Sequence, residues 1–321
     1  IFVGNKEFEI MKKPGRGTEA DNMALKGVLY GPAGKGKKHL ITTKIEHHAI
    51  LYTAMALEKE GFQVTFLDVD KNGRVDLEEL KQAITPDTAL VSIMAANNEV
   101  GTIQPIEEIG KICREKGVLF HTDAVQAFGH MPLDVNKMNI DLLSLSAHKI
   151  NGPKGSGALY IRRGLGLRPV IEGGGQERNR RSGTENVAGI VGLGQAAQLA
   201  METMVEESAR LKALAKKLTD GVLQIPETIL TGDPENRLPG ACSFAISAIE
   251  GESLVLYLDM PTEITEQMMR SREAATGTHA DIHEQDEAYL KSCREAAREI
   301  VKDCGWTVIH CAKGDAPRTV E

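Results

Sequence analysis

Strand-like and helix-like segments alternate along most of this 321-residue sequence, and this alternation restricts the fold more than any other feature. Short apolar or alternating runs predict strands, and longer amphipathic runs that stop at glycine predict helices. The pattern is typical of an α/β fold with a mainly parallel sheet flanked by helices. The predicted strands are 39–43, 63–67, 89–95, 118–122, 142–146 and 158–161, and the predicted helices are 18–29, 49–60, 77–84, 106–116 and 188–218.

Composition narrows the class of protein. A net charge of −7 at pH 7 argues against a nucleic-acid partner. No apolar run approaches the roughly 18 residues that a membrane span needs. Five cysteines form no CxxC pair, and no signal peptide is recognisable, which together favour reduced thiols. We therefore expect a cytoplasmic protein without a nucleic-acid or membrane partner.

One acidic segment matches the sequence pattern of a calcium-binding loop, but the segment before it is not the helix that such a loop requires. Residues 68–79, DVDKNGRVDLEE, satisfy that pattern at each ligand position. An EF-hand needs a helix running into the loop, but the segment before it alternates as a strand does. We interpret it as a strand, a turn at Asn72 and Gly73, and a helix capped by Asp76. We expect no metal site here or at the paired histidines elsewhere.

A second segment comes within one residue of a phosphate-binding P-loop. Residues 31–38, GPAGKGKK, have Lys38 where the magnesium-binding hydroxyl should stand. A helix precedes the segment and a strand follows it, whereas a P-loop requires the reverse. We interpret it as a solvated turn.

Polar residues suited to one cofactor stand where predicted strands end. Lys149 follows the strand 142–146, and a lysine at such a junction can hold pyridoxal phosphate as a Schiff base. Asp123 ends another strand, and a buried carboxylate can keep the pyridine nitrogen of that cofactor protonated. Gln126, one helical turn later, could hydrogen-bond the phenolic oxygen. A lone lysine after a strand would predict little, so the other segments matter.

Two helix starts complete the set. Thr18 opens a helix, where free N–H groups and the helix dipole favour a phosphate group. His47 follows a strand and precedes a helix, and its imidazole could stack on the pyridine ring. Considered by itself, Thr18 is interpreted as a helix cap. Considered by itself, His47 is interpreted as a surface residue. The four segments together favour a site for pyridoxal phosphate.

Seven sequence blocks resemble the NifS/IscS-type cysteine desulfurases of the class V aminotransferase superfamily. They lie within residues 17–260 and read GTEADN, TKIEHHAI, NNEVG, HTDAVQA, SAHKINGPKGSGALY, GGGQE and RSGTEN. The resemblance implies a pyridoxal phosphate-dependent transferase of fold type I, with an incomplete small α/β domain. It assigns the Schiff base to Lys149 and ring stacking with proton transfer to His47. The cofactor contacts that it implies are Thr18, Asn98, Asp123, Gln126, Ser146 and His148.

The same resemblance implies an activity and partners. Such an enzyme converts L-cysteine to L-alanine and transfers the sulfur to a protein thiol, as in iron–sulfur cluster assembly. A homodimer with shared active sites is implied, in which Thr184 reaches the phosphate in the neighbouring subunit. A sulfur-acceptor protein is a further implied partner.

The sequence departs from that family where the reactive cysteine belongs. Residues 251–260, GESLVLYLDM, match the segment before the family's cysteine loop, but Pro261 follows and no such loop is found. Cys242 has the setting of a core residue, and Cys293, Cys304 and Cys311 lie in a divergent tail. The family's late carboxylate-binding arginine has no counterpart either. Three alternatives therefore stay open: a non-catalytic pyridoxal phosphate-binding protein, a selenocysteine lyase, and another class V β-lyase.

Both ends of the chain differ from the family. Residues 259–321 resemble the C-terminal part of a thymidylate kinase, which adds nucleotide phosphorylation as an alternative, although the kinase's P-loop is missing. A chain that opens at Ile1 without Met suggests a fragment or an unusual start. Because neither end matches the family, we interpret the chain as chimeric or mis-assembled, with a cofactor-binding core between foreign ends. The predicted parts are a divergent segment 1–16, a cofactor-binding large domain 17–200, a partial small domain 201–260 and a kinase-like tail 261–321.

Overall fold

The computed structural model describes most of the chain. The described residues are 8–11, 17–247, 256–259, 263–264, 267–268, 270–271, 287–304, 307–313 and 316–317. The chain divides into two compact units, Ile1–Ile246 and Ser247–Glu321. The sequence-based boundaries at residues 16, 200 and 260 remain predictions.

Helices and strands alternate in the first unit as the sequence predicts. Its strands are β1 Phe8–Met11, β2 His39–Thr43, β3 Gln63–Leu67, β4 Thr88–Ser92, β5 Leu119–Asp123, β6 Leu142–Ser146, β7 Gly157–Arg162, β8 Thr228–Leu230 and β9 Phe244–Ile246. Its helices are α1 Gly17–Leu29, α2 His48–Lys59, α3 Leu77–Ala83, α4 Ile106–Lys116, the short α5 Gln176–Asn179 and α6 Val187–Val222. Single tight helical turns cover Pro32–Gly34 and Ala147–Ile150.

Seven strands form one sheet in the order β1-β7-β6-β5-β4-β2-β3. The pairs β2–β3, β2–β4, β4–β5 and β5–β6 are parallel, whereas β7 pairs antiparallel with β6 and β1. The expected α/β fold with a mainly parallel sheet is therefore confirmed. The edge strand β1 lies in the N-terminal segment and was not predicted. β8 and β9 form a separate antiparallel pair.

Both faces of the large sheet are buried under helices, which explains the continuous apolar runs in its strands. Successive residues of one strand enter different cores: Leu40 packs with α1 and α2, whereas Ile41 packs with α3 and α4. Leu90 and Val91 of β4 divide in the same way. The carboxyl ends of the parallel strands are thus held along one rigid edge.

The strand β4 is shorter than predicted. The apolar run 89–95 predicts a strand to residue 95, but β4 ends at Ser92. The Met94 amide donates instead to the side chain of Glu46 at 3.0 Å. A buried carboxyl from a neighbouring loop thus takes one backbone donor that a longer ladder would use. Apolar continuity in the sequence does not reveal that competition.

The acidic segment 68–79 folds as a turn followed by a capped helix. Asp70 Oδ1 accepts the backbone N–H groups of Asn72 and Arg74, both at 2.9 Å. Asp76 accepts the amide of Glu78 at 2.7 Å and caps α3. This confirms the turn interpretation, and the Asp70 oxygen that the calcium pattern would use is engaged by the backbone.

The second unit contains a strand–helix–strand element. Strand β10 Leu256–Asp259 pairs in parallel with β11 Thr307–His310, and helix α7 Glu287–Cys304 lies between them in sequence. The two-residue strands β12 Ala312–Lys313 and β13 Ala316–Pro317 pair antiparallel. In the part of the chain that the structure describes, no helix is long and apolar enough to cross a membrane.

Candidate active site

A cavity of about 240 Å³ lies at the carboxyl ends of the parallel strands, where α/β sheets bind their ligands. We call it the carboxyl-edge cavity. The loops after β2, β4, β5 and β6 contribute to its wall together with the first turns of α1. It is lined by Gly17, Thr18, Asp21, His47, Met94, Ala96, Asn98, Asp123, Val125, Gln126, Ser146, His148 and Lys149.

The N-terminus of α1 faces this cavity through Gly17 and Thr18. A Cβ atom at Gly17 would come within 2.7 Å of Val125 Cγ2, so a larger residue would force Val125 to shift where helix and loop approach closely. The first N–H groups of an α-helix have no intrahelical acceptor, and the helix dipole favours an anion there. The arrangement therefore suits a phosphate group.

His47 lies between β2 and α2 and caps that helix. Its Nδ1 accepts the N–H of Ala49 at 3.1 Å. When Nδ1 accepts, the neutral imidazole carries its proton on Nε2. The hydrogen bond thus fixes the ring while leaving Nε2 for exchange of a proton in the cavity. The expectation of a helix start at His47 is confirmed, since α2 begins at His48.

The loop after β4 is held by Asn97. Asn97 Oδ1 accepts the N–H groups of Glu99 and Val100, both at 2.9 Å. Its Nδ2 donates to the carbonyl of Ile45 at 3.0 Å, which joins this loop to the one that carries His47. Asn98, exposed and lining the cavity, follows this buried anchor.

Asp123 ends β5 as a buried carboxyl in the cavity wall. Its Oδ1 accepts the N–H of Val125 at 2.9 Å. Burial raises the pKa of Asp123, while that hydrogen bond and the nearby His47 oppose the increase. A buried carboxyl of this kind gains from a cationic partner, and a protonated pyridine nitrogen is one.

Lys149 lies one turn beyond the end of β6, in the segment Ala147–Ile150. The turn ends at Asn151, whose backbone is left-handed with φ of 60°, and whose N–H donates to the Ala147 carbonyl. The His130 ring donates to the Lys149 carbonyl at 3.2 Å. Ser146 Oγ and His148 Nδ1 lie 2.8 Å apart just before the lysine. The main chain is thus fixed on both sides of an exposed amine.

The structure brings eight of the nine predicted site residues to one cavity. They are Thr18, His47, Asn98, Asp123, Gln126, Ser146, His148 and Lys149. Thr184 is exposed in the loop before α6 and does not line the cavity. That loop is joined to α1 by an ion pair between Arg181 and Glu19, at 2.7 Å. The role of Thr184 at a neighbouring subunit stays a prediction.

Sequence reasoning missed Asp21. It lies three residues after Thr18, so both project from one side of α1. Asp21 is buried, lines the cavity, and has an Oδ1 atom with no hydrogen-bond partner. Helical spacing from Thr18 was the signal that could have found it.

The described cysteines lie elsewhere. Cys113 is buried in the core, and burial raises its pKa to about 12, so its thiol is unreactive. Cys242 is half-buried rather than the core residue that the sequence suggests, with Sγ 3.7 Å from the Ala215 carbonyl. The Cys311 thiol donates to the Ile309 carbonyl at 3.4 Å. The side chains of Cys293 and Cys304 lie outside the described residues.

The residues of the cavity fit pyridoxal phosphate by their chemistry. Lys149 offers a primary amine, Asp123 a carboxyl for the ring nitrogen, and the first turn of α1 donors for a phosphate. The unpartnered buried oxygen of Asp21 shows that the wall retains polar capacity which the protein alone does not satisfy. An α/β fold with these groups at the carboxyl edge is the kind of protein that binds pyridoxal phosphate.

The comparisons with known proteins point to one family. The Aminotransferase class-V family matches residues 15–278. Cysteine desulfurase IscS of Clostridium botulinum is 59% identical over 247 residues, which cover 76% of this chain and 62% of the relative. The IscS of Methanosarcina thermophila is 55% identical over 257 residues, covering 80% and 63%. A solved NifS-like protein is 40% identical with a TM-score of 0.72, covering 84% and 70%.

This chain belongs to the class V aminotransferase family. Proteins of this family depend on pyridoxal phosphate, so the expected cofactor and fold type I are confirmed. The chain spans a little over three fifths of the length of the curated IscS relatives that it matches.

Proposed function

We propose that this protein is a cysteine desulfurase that uses pyridoxal phosphate to convert L-cysteine to L-alanine. The observation that carries the proposal is the meeting of Lys149, Asp123 and His47 in one cavity, although they stand far apart in sequence. The IscS and NifS-like relatives support it through their names and through identity over the segments that build the site.

Each residue has a distinct task in this proposal. Lys149 holds the cofactor covalently, and the first turn of α1 with Ser146 and His148 holds its phosphate. Asp123 keeps a proton on the ring nitrogen. Bound pyridoxal phosphate supplies an electron sink for the α-carbon of the substrate. His47, oriented by the Ala49 amide, exchanges a proton through Nε2.

The sulfur step requires a thiolate. It attacks the substrate sulfur, the carbon–sulfur bond breaks with its electron pair left on carbon, and protonation of that carbon gives alanine. The products are alanine and the persulfide of the attacking thiol. Among the described residues no cysteine lines the cavity. An added small thiol can take this role in an assay, and transfer to a sulfur-acceptor protein is the corresponding cellular step in this proposal.

The experiment incubates the purified protein with pyridoxal phosphate, removes the excess, and records the visible absorbance. We expect a yellow wild type and a colourless Lys149→Ala variant. Lys154→Ala is the matched control, because Lys154 is exposed in the same loop and does not line the cavity. A colourless wild type, or equal colour in Lys149→Ala, contradicts the assignment of the site.

Release of alanine from L-cysteine with a small thiol then separates an enzyme from a cofactor-binding protein without turnover. A yellow protein that forms no alanine favours the non-catalytic alternative. Faster release of alanine from selenocysteine than from cysteine favours the selenocysteine lyase alternative, and elimination without alanine favours another β-lyase.

We include a homodimer and a cytoplasmic location in this proposal. Sedimentation tests the dimer, and a Thr184→Ala variant that loses cofactor without dissociating supports a shared site. The thymidylate kinase resemblance of the tail also stays a proposal, supported by the parallel β10–β11 pair with α7 between its strands. A thymidylate phosphorylation assay tests it directly, and no transfer to thymidylate is the contrary outcome.

A further inference from the structure

Three buried carboxyl groups interact at the carboxyl edge of the sheet, and two of them, Asp21 and Asp123, line the carboxyl-edge cavity. Asp21 of α1, Asp123 of β5 and Glu46 of the β2–α2 loop are 1%, 6% and 4% exposed. The basic side chains at this cavity are exposed rather than buried, and they are His47, His148 and Lys149. Three adjacent buried negative charges without a buried cation would be expensive, so at least one of these groups holds a proton.

The three groups differ in their hydrogen bonds. Asp123 accepts the Val125 N–H at 2.9 Å. Glu46 Oε1 accepts Thr43 Oγ1 at 2.8 Å and the Met94 N–H at 3.0 Å. By contrast, Asp21 Oδ1 has no hydrogen-bond partner, as is also true of Glu46 Oε2, and the donor that favours a charged Asp21 is the Ser144 hydroxyl rather than a backbone N–H. Donors to a carboxylate favour its charged form, so Asp123 is the better place for a negative charge and Asp21 the better place for a proton.

The neighbouring histidine does not supply the missing cation. His121 Nε2 lies 3.8 Å from Asp21 Oδ1, beyond hydrogen-bonding distance. Its two ring nitrogens contact hydroxyl groups instead, Ser92 Oγ at 2.8 Å and Ser144 Oγ at 3.0 Å. Burial lowers the pKa of His121 to about 3, so the ring is neutral at ordinary pH. Asp21 therefore lies beside a neutral imidazole.

We propose that Asp21 is a positioning residue that holds a proton beside Asp123, so that the pair presents a single negative charge to the ring nitrogen of the cofactor. A neutral Asp21 keeps the charge on the carboxyl that ends β5. The inference rests on the proposed cofactor site.

The electrostatics of the site support the same distribution of charge. Burial raises the pKa of Asp21 well above its ordinary value, and the neighbouring Asp123 and Glu46 add to that increase, while the Ser144 hydroxyl opposes it. The titratable groups nearest Asp21 are Asp123 and His121 of β5 and Glu46 of the β2–α2 loop. His47, His148 and Lys149 line the same cavity.

The test uses the full chain without cofactor, so failure of the proposed function leaves it interpretable. Infrared spectra at neutral pH should show the C=O stretch of protonated carboxyl groups. We expect Asp21→Asn to remove part of this band and Glu46→Gln, the matched control, to remove a different part. A band that Asp21→Asn leaves unchanged overturns the proposal. If that variant does not fold, wild-type protein with ¹³C-labelled aspartate must show a shifted band, and no shift overturns the proposal.

A second measurement addresses positioning. Asparagine resembles a neutral aspartic acid, so Asp21→Asn should keep the dissociation constant of pyridoxal phosphate and the pH midpoint of its bound absorbance close to wild type. Loss of an ionised carboxylate would instead raise the dissociation constant by about tenfold or move the pH midpoint by about one unit. A change of that size overturns the proposal. Asp123→Asn should cause such a change, which shows that the measurement is sensitive.

Discussion

One cavity lies at the carboxyl ends of the sheet's strands and another at the amino ends of two of them, and the two differ in both size and chemistry. The carboxyl-edge cavity measures about 240 Å³ and holds carboxyl, imidazole, hydroxyl and amine groups. A cavity of about 410 Å³ lies at the amino ends of β4 and β5, and we call it the amino-edge cavity. Its lining is glycine and apolar residues with Lys35 and Lys37, from the segment that comes close to a P-loop pattern. The larger cavity offers no acid–base pair among its described residues.

The difference follows from strand direction. At the carboxyl edge, each parallel strand ends in a loop whose side chains turn towards the cavity, and helix N-termini point to it. At the amino edge, Lys37 donates to the Thr88 carbonyl at 3.2 Å, so one of the two lysines is used in structure. Cavity volume alone would favour the amino edge, whereas the chemistry of the lining favours the carboxyl edge.

The largest difference between the edges should follow loss of one carboxylate. Asp123→Asn removes the carboxyl that is proposed to keep the ring nitrogen protonated, and we expect alanine formation to fall by roughly 10²–10⁴-fold while the protein stays yellow. Asp87→Asn is the control, because Asp87 is exposed just before β4 at the amino edge. Rates from L-cysteine are the measurement. If the rate falls less than tenfold in Asp123→Asn, the ring nitrogen of the cofactor does not lie against Asp123.

Opposite pH dependences of stability should also separate the two edges. At the carboxyl edge, burial raises the pKa of Glu46 to about 8, so the folded protein binds a proton that the unfolded chain releases. The contribution of this group to the free energy of unfolding is greatest below the pKa of the unfolded chain, near 4.5, and it is lost as pH rises towards 8. The Glu46→Gln variant should lack this loss, which is on the order of a few kcal/mol.

At the amino edge, the buried His39 acts with the opposite sign. Its ring lies 2.8 Å from Thr88 Oγ1 and 2.9 Å from Thr65 Oγ1, and burial lowers its pKa from 6.5. The folded protein therefore loses stability as pH falls below 6.5. His39→Gln should flatten the acid side of a plot of Tm against pH, and Glu46→Gln the alkaline side. Parallel curves for the two variants would contradict both assignments.

The sequence predicts this fold well because its periodicities are strong. The strands β2, β3 and β6 and the helix α4 have the predicted bounds, because apolar runs and end signals such as Gly117 agree there. Motifs at strand ends identified eight residues of the cavity, because parallel strands bring their carboxyl ends together. Asp21 was missed because its importance depends on burial, and burial of a helical carboxyl arises only when α1 packs on β5 and β6. The edge strand β1 was missed because pairing with β7 is a long-range contact.

The smallest expected difference between the two edges is the effect of replacing one glycine at each of them. A Cβ atom at Gly17 would lie 2.7 Å from Val125 Cγ2, and one at Gly166 would lie 2.7 Å from Pro32 Cγ. Both contacts are with side chains, so each change to alanine should cost a similar 1–3 kcal/mol or so of stability. Only Gly17→Ala moves the helix N-terminus that faces the proposed phosphate position. We therefore expect similar losses of Tm in the two variants but weaker binding of pyridoxal phosphate in Gly17→Ala alone. Equal weakening in both would mean that the loss reflects general destabilisation, and the phosphate would then depend on Ser146 and His148 rather than on α1.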